Sequence, residues 1–489
     1  MTTHQDKGRC WGFPREVVQN LGSRLHAFWE RYRGCFKTTT REGSEYAYHY
    51  LSGLLRMEAH RNFTGIGRIA DVEGQTLQHF MSQSPWSGAA VCAQVREELK
   101  ATPDLTSGGV LVVDESGDEK AGDQSAGAAK QYNGRLGKIE TSQMGVMLAY
   151  VNLKVLQGFW TWISGKLFLP TAWFDDDHSA RRQRLGIPTS LNFKTKIELA
   201  WELIKEAIEQ NIPFEIICCD AFYGRSGTFR AQIRKAGRLY MAEIPEDTLV
   251  YLERPTLGVP ERTSRKGPAP SRVRVLTGEA VPVSTLGASE EWVRLRIRAT
   301  ERGDLYDRFL VRRVWTLYEE TPVEEWLVIR EIREASDGTC SYALCNAPAD
   351  TALEQLAWWK CQRYFIERSN QDAKSGLGWD EFQAQKYLAW DHHIALTILA
   401  SWFLAQTKYE WAQEHPRDPD LMSQLKTDML PALSMANIRE LLRSVMPLPR
   451  LTEEQAIERV IEHLSNRTRS RKSRLKKQQL IQSEQFSSA

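Results

Sequence analysis

No run of about 18 apolar residues occurs in the 489-residue chain, which excludes an ordinary membrane-spanning helix. The polar opening MTTHQDKGRCWGF lacks the charged-then-apolar pattern of a secretion signal. The eight cysteines stand at Cys10, Cys35, Cys92, Cys218, Cys219, Cys340, Cys345 and Cys361. None forms a CxxC pair, which argues against a zinc ribbon. Cys218 and Cys219 lie in an apolar run and read as small core residues, so a reducing, cytoplasmic setting is expected. An excess of one charge is also missing: the net charge is +2, which by itself does not point to nucleic acid. No internal repeat is evident. The segment Tyr132 to Lys138, YNGRLGK, has tyrosine where a phosphate-binding Walker loop needs glycine, so ATP binding is rejected.

What is present is the composition of an ordinary globular protein, 42% hydrophobic and 26% charged. From about residue 15 to 105 apolar residues recur at three and four, as in Tyr46, Tyr50, Leu51, Leu54 and Leu55, then Ile66, Ile69, Leu77 and Phe80. That spacing predicts helices. Strands and helices then alternate. Gly109–Asp114, Lys138–Val151 and Gly158–Leu169 read as strands, Lys196–Gln210 as a helix and Phe214–Cys219 as a buried strand. Ser226–Ala236 reads as a helix and Leu239–Ile244 as a strand. That order is the one expected of a ribonuclease-H-like core.

The texture changes between 246 and 350, where Pro, Gly and Ser cluster before strand-like runs at Trp292–Ile297, Arg308–Trp315, Trp326–Ile332 and Cys340–Leu344. From Ala352 onward the pattern is helical. The expected class is therefore α/β: a ribonuclease-H-like catalytic core interrupted by a β-rich insertion, with helical N- and C-terminal regions. The expected divisions are a helical DNA-binding region at 1–105, the first part of the core at 106–245 and the insertion at 246–350. The core returns at 351–410, and a helical C-terminal region with a basic tail spans 411–489.

Asp114 and Asp220 each end an apolar strand, an edge that opens onto loops and suits chemistry. A strand-end aspartate is also a common turn or cap residue. In a ribonuclease-H-like sheet the two strands are adjacent, which would bring two hard oxygen ligands together, suited to Mg²⁺. A third carboxylate on a nearby helix would complete a two-metal site for phosphodiester cleavage. The candidate is Glu367 in QRYFIERSNQDAKSGLG (362–378), where Arg363, Glu367 and Lys374 follow an R-x3-E-x6-K spacing. On a helix these three would share one face. Glu367 would hold metal, and Arg363 and Lys374 would hold backbone phosphates. The plain alternative is a surface helix with ordinary ion pairs.

These blocks carry a resemblance. The R-x3-E-x6-K spacing is most of the Y-x2-R-x3-E-x6-K pattern of bacterial cut-and-paste insertion-sequence transposases. VVDESGDEKAGDQSAGAAKQYNGRLGKIETSQMGVMLAYV (112–151), LFLPTAWFDDD (167–177), CCDAFYG (218–224) and WDHHIALTILASWFL (390–404) look like insertion-sequence family seven-hundred-one. The likeness runs from about residue 25 to the basic tail. Lys360 stands at the tyrosine position of the pattern, so an assisting tyrosine is not expected there. The resemblance implies a DDE transposase with catalytic, metal-holding residues Asp114, Asp220 and Glu367. It implies two Mg²⁺ ions, with Mn²⁺ able to substitute, and double-stranded DNA partners: terminal inverted repeats and target DNA. It further implies cut-and-paste joining of 3′ hydroxyl ends, a homodimer on DNA and a bacterial, nucleoid-associated, membrane-free protein.

Further phosphate contacts are expected from Lys130 and Lys138, and from Arg467, Arg469, Arg471, Lys472 and Arg474 in the basic run RTRSRKSRLKK (467–477). Asp175–Asp177 read as a polar loop before Arg181, Arg182 and Arg184. Adjacent His392 and His393 point in different directions on a helix and read as packing or phosphate-contacting groups. Trp292, Trp315 and Trp326 read as core residues of the insertion, with base stacking as the functional alternative. The rival functions are a domesticated DNA-binding protein without cleavage activity and a structure-selective nuclease. A carboxylate-pair glycosidase is more distant, since it needs no basic flanks.

Overall fold

The apolar run leading into Asp114 becomes an interior strand of a large mixed sheet in the computed structural model. The structure describes residues 13–39, 41–134, 137–261, 270–287, 291–300, 303–332, 339–415 and 433–449. Further along it describes 423, 452–458, 460–461, 464–465, 467–469, 471–472 and 475. By its contacts the chain divides into a unit at 1–446 and a second at 447–489. The described helical stretches of the second unit lie between 453 and 475.

The first unit opens with helices α1 (Arg15–Gln19), α2 (Leu21–Tyr32), α3 (Ser44–Arg56), α4 (Phe63–Ala70), α5 (Gly74–Ser82) and α6 (Gly88–Ala101). Asn62 and Ser87 cap α4 and α6 with their side chains, satisfying N–H groups that a helix start leaves bare. Four strands follow: β1 (Val110–Glu119), β2 (Ala129–Asn133), β3 (Lys138–Asn152) and β4 (Phe159–Phe168). β2 was not among the strands expected from the sequence. Its alternation is short, and only pairing with β3 makes it a strand.

After helix α7 (Ser179–Leu185) comes α8 (Lys196–Glu209), opened by a reciprocal Thr195–Glu198 capping box. Strand β5 (Ile216–Cys219), helices α9 (Ala221–Gly224) and α10 (Gly227–Lys235), and strand β6 (Leu239–Ile244) complete this part. β3 runs antiparallel to β1 and β4 antiparallel to β3, whereas β5 and β6 run parallel to β1. The lateral order is thus β4-β3-β1-β5-β6. Val110–Val113 and Ile216–Cys219 are buried on both faces, as parallel strands between covering layers must be.

The insertion supplies β7 (Leu249–Tyr251), β8 (Thr256–Gly258), β9 (Arg274–Thr277), β10 (Ala280–Pro282), β11 (Val293–Thr300), β12 (Gly303–Tyr318), β13 (Thr321–Glu331) and β14 (Cys340–Cys345). β8 and β9 form a separate two-stranded ribbon; the other described insertion strands continue the main sheet to twelve strands. The junction is β14 against β6, from Tyr342 opposite Ile244 to Cys345 opposite Met241. One apolar cluster, including Ile244, Val250, Val314, Leu327 and Leu344, crosses that junction.

The chain then forms α11 (Leu353–Lys360), α12 (Tyr364–Gln371) and the long α13 (Tyr387–Glu414), with α14 (Met435–Val445) closing the unit. α13 is apolar on every side and is accordingly enclosed, by β4, α3, α5, α6 and α14. Its buried polar groups are all met. Lys408 donates to the carbonyls of Gln157 and Gly158 at 2.8 and 2.7 Å and faces the Trp160 ring at 3.8 Å. Among the described residues no helix is long and apolar enough to cross a membrane.

Candidate active site

Three adjacent strands run parallel in matched register; β1, expected from the sequence to stop at Asp114, continues to Glu119. Val113 is opposite Cys219, and Cys219 is opposite Ala242. The next residues are Asp114, Asp220 and Glu243. Side chains at matching positions of parallel strands share a face, so the sheet itself lines up three carboxylates. Two of them were expected. Glu243 was not, because the pattern LYMAEI reads as an ordinary strand end; its signal was a lone acid in an otherwise apolar strand.

Asp220 serves two ends. It is the N-cap of α9, and its Oδ1 accepts from the N–H groups of Phe222 and Tyr223 at 3.0 and 3.2 Å. The turn behind it presses on β6: a Cβ built on Gly224 would stand 1.9 Å from the Glu243 carbonyl oxygen. Asp114 Oδ1 accepts from the Glu115 N–H at 2.7 Å. Burial, reinforced by the Asp220 charge, pushes the Asp114 carboxyl up to about 8. Burial also raises Asp220, against the pull of its backbone hydrogen bond from Tyr223.

Arg363, just ahead of α12, stands among these acids. Its Nη2 is 2.7 Å from Glu367 Oε1, its Nε 3.0 Å from Glu243 Oε2 and its Nη1 4.0 Å from Asp114 Oδ2. Glu243 Oε1 is paired with the ammonium of Lys360, which is 2% exposed. Burial pushes Glu243 up, but Lys360 and Arg363 together outweigh it and hold the group below its ordinary value. Lys360 therefore fills the place of the expected-absent tyrosine with a buried charge aimed at Glu243. On the other side Glu115 Oε1 meets Lys196 at 3.1 Å, and Tyr223 donates its hydroxyl to Glu115 Oε2 at 3.3 Å.

The structure thus gives Asp114 and Glu367 one shared cation and sets Asp220 beside Asp114. Glu367 is exposed and turned to Arg363. Among the described residues no three His, Cys, Asp or Glu side chains are grouped to hold a metal as they stand. The oxygen donors themselves suit a hard divalent cation. A bound cation would offset both the burial and the Asp220 charge that lift Asp114.

One sequence expectation is corrected. Arg363, Glu367 and Lys374 were placed on one continuous α-helix, but α12 ends at Gln371 and Asp372–Gly376 forms a wider π-type turn. The two-turn spacing from Glu367 to Lys374 is lost. Lys374 donates to the Gly117 carbonyl at 2.8 Å and lies 5.5 Å from the Trp379 ring centroid.

Lys130 and Lys138 sit on the β2–β3 hairpin, the former exposed and the latter 2.6 Å from Glu140. Arg467, Arg469, Arg471 and Lys472 are exposed helical residues of the second unit; Arg474 lies outside the described residues. His392 and His393 are packing groups. His392 stacks on Trp86 and His393 on Phe382, and their nitrogens reach the carbonyls of Met81, Trp86 and Trp379 and the Tyr50 hydroxyl. Trp292 and Trp326 donate to the carbonyls of Gly287 and Pro348, and Trp315 lies under Arg254.

The comparisons agree with the resemblance to transposases. The chain is similar, at 22% identity over 348 residues, to a probable transposase for insertion sequence element IS701 from Microchaete diplosiphon, covering 70% of this chain and 77% of that one. Against the cryo-EM structure of a piggyBac transposase synaptic complex with hairpin DNA the identity is 10%. The overlay covers 90% of this chain and 84% of that one at a TM-score of 0.37, too loose to define a shared fold. A family model for DDE superfamily endonucleases matches residues 31–303, a span that holds Asp114, Asp220 and Glu243 and stops short of Glu367. With more than half of its length under that match, the chain belongs to the DDE superfamily of endonucleases.

Proposed function

We propose that this protein is a DDE transposase that binds the terminal inverted repeats of an insertion sequence, cuts the DNA ends and joins the 3′ hydroxyls to target DNA. Asp114, Asp220 and Glu367 are its catalytic carboxylates. The observation that carries the reading is the register: the two aspartates follow matched residues of adjacent parallel strands, and Arg363 links one of them to Glu367. The order β4-β3-β1-β5-β6, antiparallel up to β1 and parallel beyond it, supports a ribonuclease-H-like core. Residues 246–350 are its insertion, and Glu367 returns to it from the far side.

Asp114 and Asp220 would hold Mg²⁺ or Mn²⁺, with Glu367 as a third ligand once Arg363 turns from it to a DNA phosphate. Two such ions, when bound, activate the attacking oxygen and stabilise the leaving one. The chain does the rest. Asp220 is fixed by the two amides that it caps. Asp114 gives up the proton that burial and Asp220 favour. The guanidinium of Arg363 offers a planar fork to phosphate oxygens. Lys130, Lys138, Arg467, Arg469, Arg471, Lys472 and Arg474 add backbone contacts along a longer duplex, on which the protein acts as a dimer.

The test uses purified protein, Mg²⁺ and a duplex carrying the DNA that flanks the gene. The parent nicks the duplex at the element boundary, and Asp220→Asn binds it without cutting. Mg²⁺-dependent cutting by Asp220→Asn refutes the assignment.

A further inference from the structure

Arg363 is held from behind as well as in front. In front are Asp114 and Glu367, the carboxylates of the proposed chemistry. Behind is Glu243, whose two oxygens are divided: Oε1 to the buried Lys360 and Oε2 to Arg363 Nε. Of the three acids around Arg363, Glu243 is the one flanked by a second cation. Its backbone is also fixed on both sides, by β5 through the residue before it and by β14, where it faces Ala343. Gly224 presses on its carbonyl. Glu367, by contrast, is exposed, and the Asp114 contact is the loosest of the three at 4.0 Å. The firm end of the arrangement is Glu243 and the yielding end is the metal side.

We propose that Glu243 is a positioning residue for Arg363, with Lys360 as its counter-ion. Together they keep the guanidinium at the rim of the carboxylate row, ready to exchange Asp114 and Glu367 for a DNA phosphate without collapsing onto the acids. The inference rests on the transposase reading for the phosphate and on the geometry alone for the anchor. Without Glu243, Arg363 has only the catalytic carboxylates to pair with, and it competes there with a divalent cation.

The experiment removes the anchor and its counter-ion together. Glu243→Gln alone strands Lys360 as an unpaired buried charge, a change that endangers folding. Glu243→Gln/Lys360→Met leaves the net charge of the site unchanged, so a plain loss of Coulomb attraction for metal cancels. Mn²⁺ binding to the DNA-free protein is measured by calorimetry, and cutting of the end duplex by single-turnover kinetics. Each is read in the parent, in Glu243→Gln/Lys360→Met, in Arg363→Ala and in the triple variant. Unfolding midpoints identify variants that retain the fold, and Glu243→Asp is the second variant if the pair does not.

With the anchor gone, Mn²⁺ affinity falls about tenfold and the cutting rate on the order of tenfold to a hundredfold, the usual range for a group supporting a metal site. In the Arg363→Ala background the same pair of substitutions changes either quantity by no more than about twofold, since coupled residues do not add. Parental Mn²⁺ affinity in Glu243→Gln/Lys360→Met overturns the positioning role, as does a full additional loss in the Arg363→Ala background. A parent that binds Mn²⁺ and leaves the end duplex intact refutes the transposase reading, while the Mn²⁺ titration still decides the role of Glu243.

Discussion

At the scale of single residues, Asp220 caps α9 and, on the proposed reading, also holds metal. Asn and Asp cap helices about equally well. Asp220→Asn therefore keeps the α9 cap and removes a charge that burial disfavours, so its unfolding midpoint stays at or above the parent's while cutting is lost. Asp220→Ala loses cutting and also about 1 kcal/mol of stability with the cap. Chemical denaturation of both variants beside a cleavage assay separates the two roles; equal stabilities would remove the cap from the account. The two aspartates were legible because each follows an apolar run that only a buried strand explains. Glu243 was illegible because its significance lies in register with strands far away in sequence. Lys360 was legible as a departure from a pattern, but not as the partner of a buried acid. Lys374 was misplaced because residue spacing assumes 3.6 residues per turn, and nothing in DAKSG announces a wider turn.

At the scale of elements, the α9–β6 contact sets where Glu243 sits. Gly224→Ala drives a methyl group into the Glu243 carbonyl. It should cost about 1–3 kcal/mol, as overpacking does, and lower cutting as well, measured by urea midpoint and cleavage rate. α13 offers a pH test. Tyr50 donates to His393 Nδ1, and Nε2–H donates to the Trp379 carbonyl, a set that suits the neutral ring. Burial pushes His393 down to about 3. Its folded value lies below the unfolded one near 6.5, so the unfolded chain binds the extra proton between those values. The contribution of His393 is thus present above about pH 6.5 and is lost progressively as pH falls toward 3. The parent's unfolding midpoint should drop over that window. His393→Gln should start lower and fall less steeply; parallel curves would count against a neutral buried histidine. The long strands and α13 were readable from apolar runs alone, whereas β2 and β7 to β10 are short and exist through their partners.

At the scale of the whole molecule, a net charge of +2 hides a local concentration of cations near the C-terminus. Replacing Arg467, Arg469, Arg471 and Lys472 with Gln should flatten the salt dependence of DNA binding by roughly one unit of log–log slope per lost phosphate contact. The loss should be similar for end and random duplexes, because backbone contacts carry no base information. An unchanged slope over a salt series would leave the segment without a phosphate role. The α/β class was visible in the sequence because strand-like and helix-like periods alternate. The continuity of the insertion with the main sheet was not, because the β6–β14 ladder joins segments about a hundred residues apart.

That continuity also sets a schedule. Roughly 250 residues of chain separate Asp114 from Glu367, about 10–50 s of synthesis at about 5–20 residues per second. During that interval β1, β5 and β6 are already made, yet the edge of β6 waits for β14, and the carboxylate row has neither Arg363 nor Glu367. A nascent chain, or one truncated before residue 360, carries Asp114, Asp220 and Glu243 without Lys360 or Arg363. On the proposed reading, the carboxylate row is completed only when about three quarters of the chain has been made, so a ribosome-bound chain short of Glu367 has the two aspartates without the third acid.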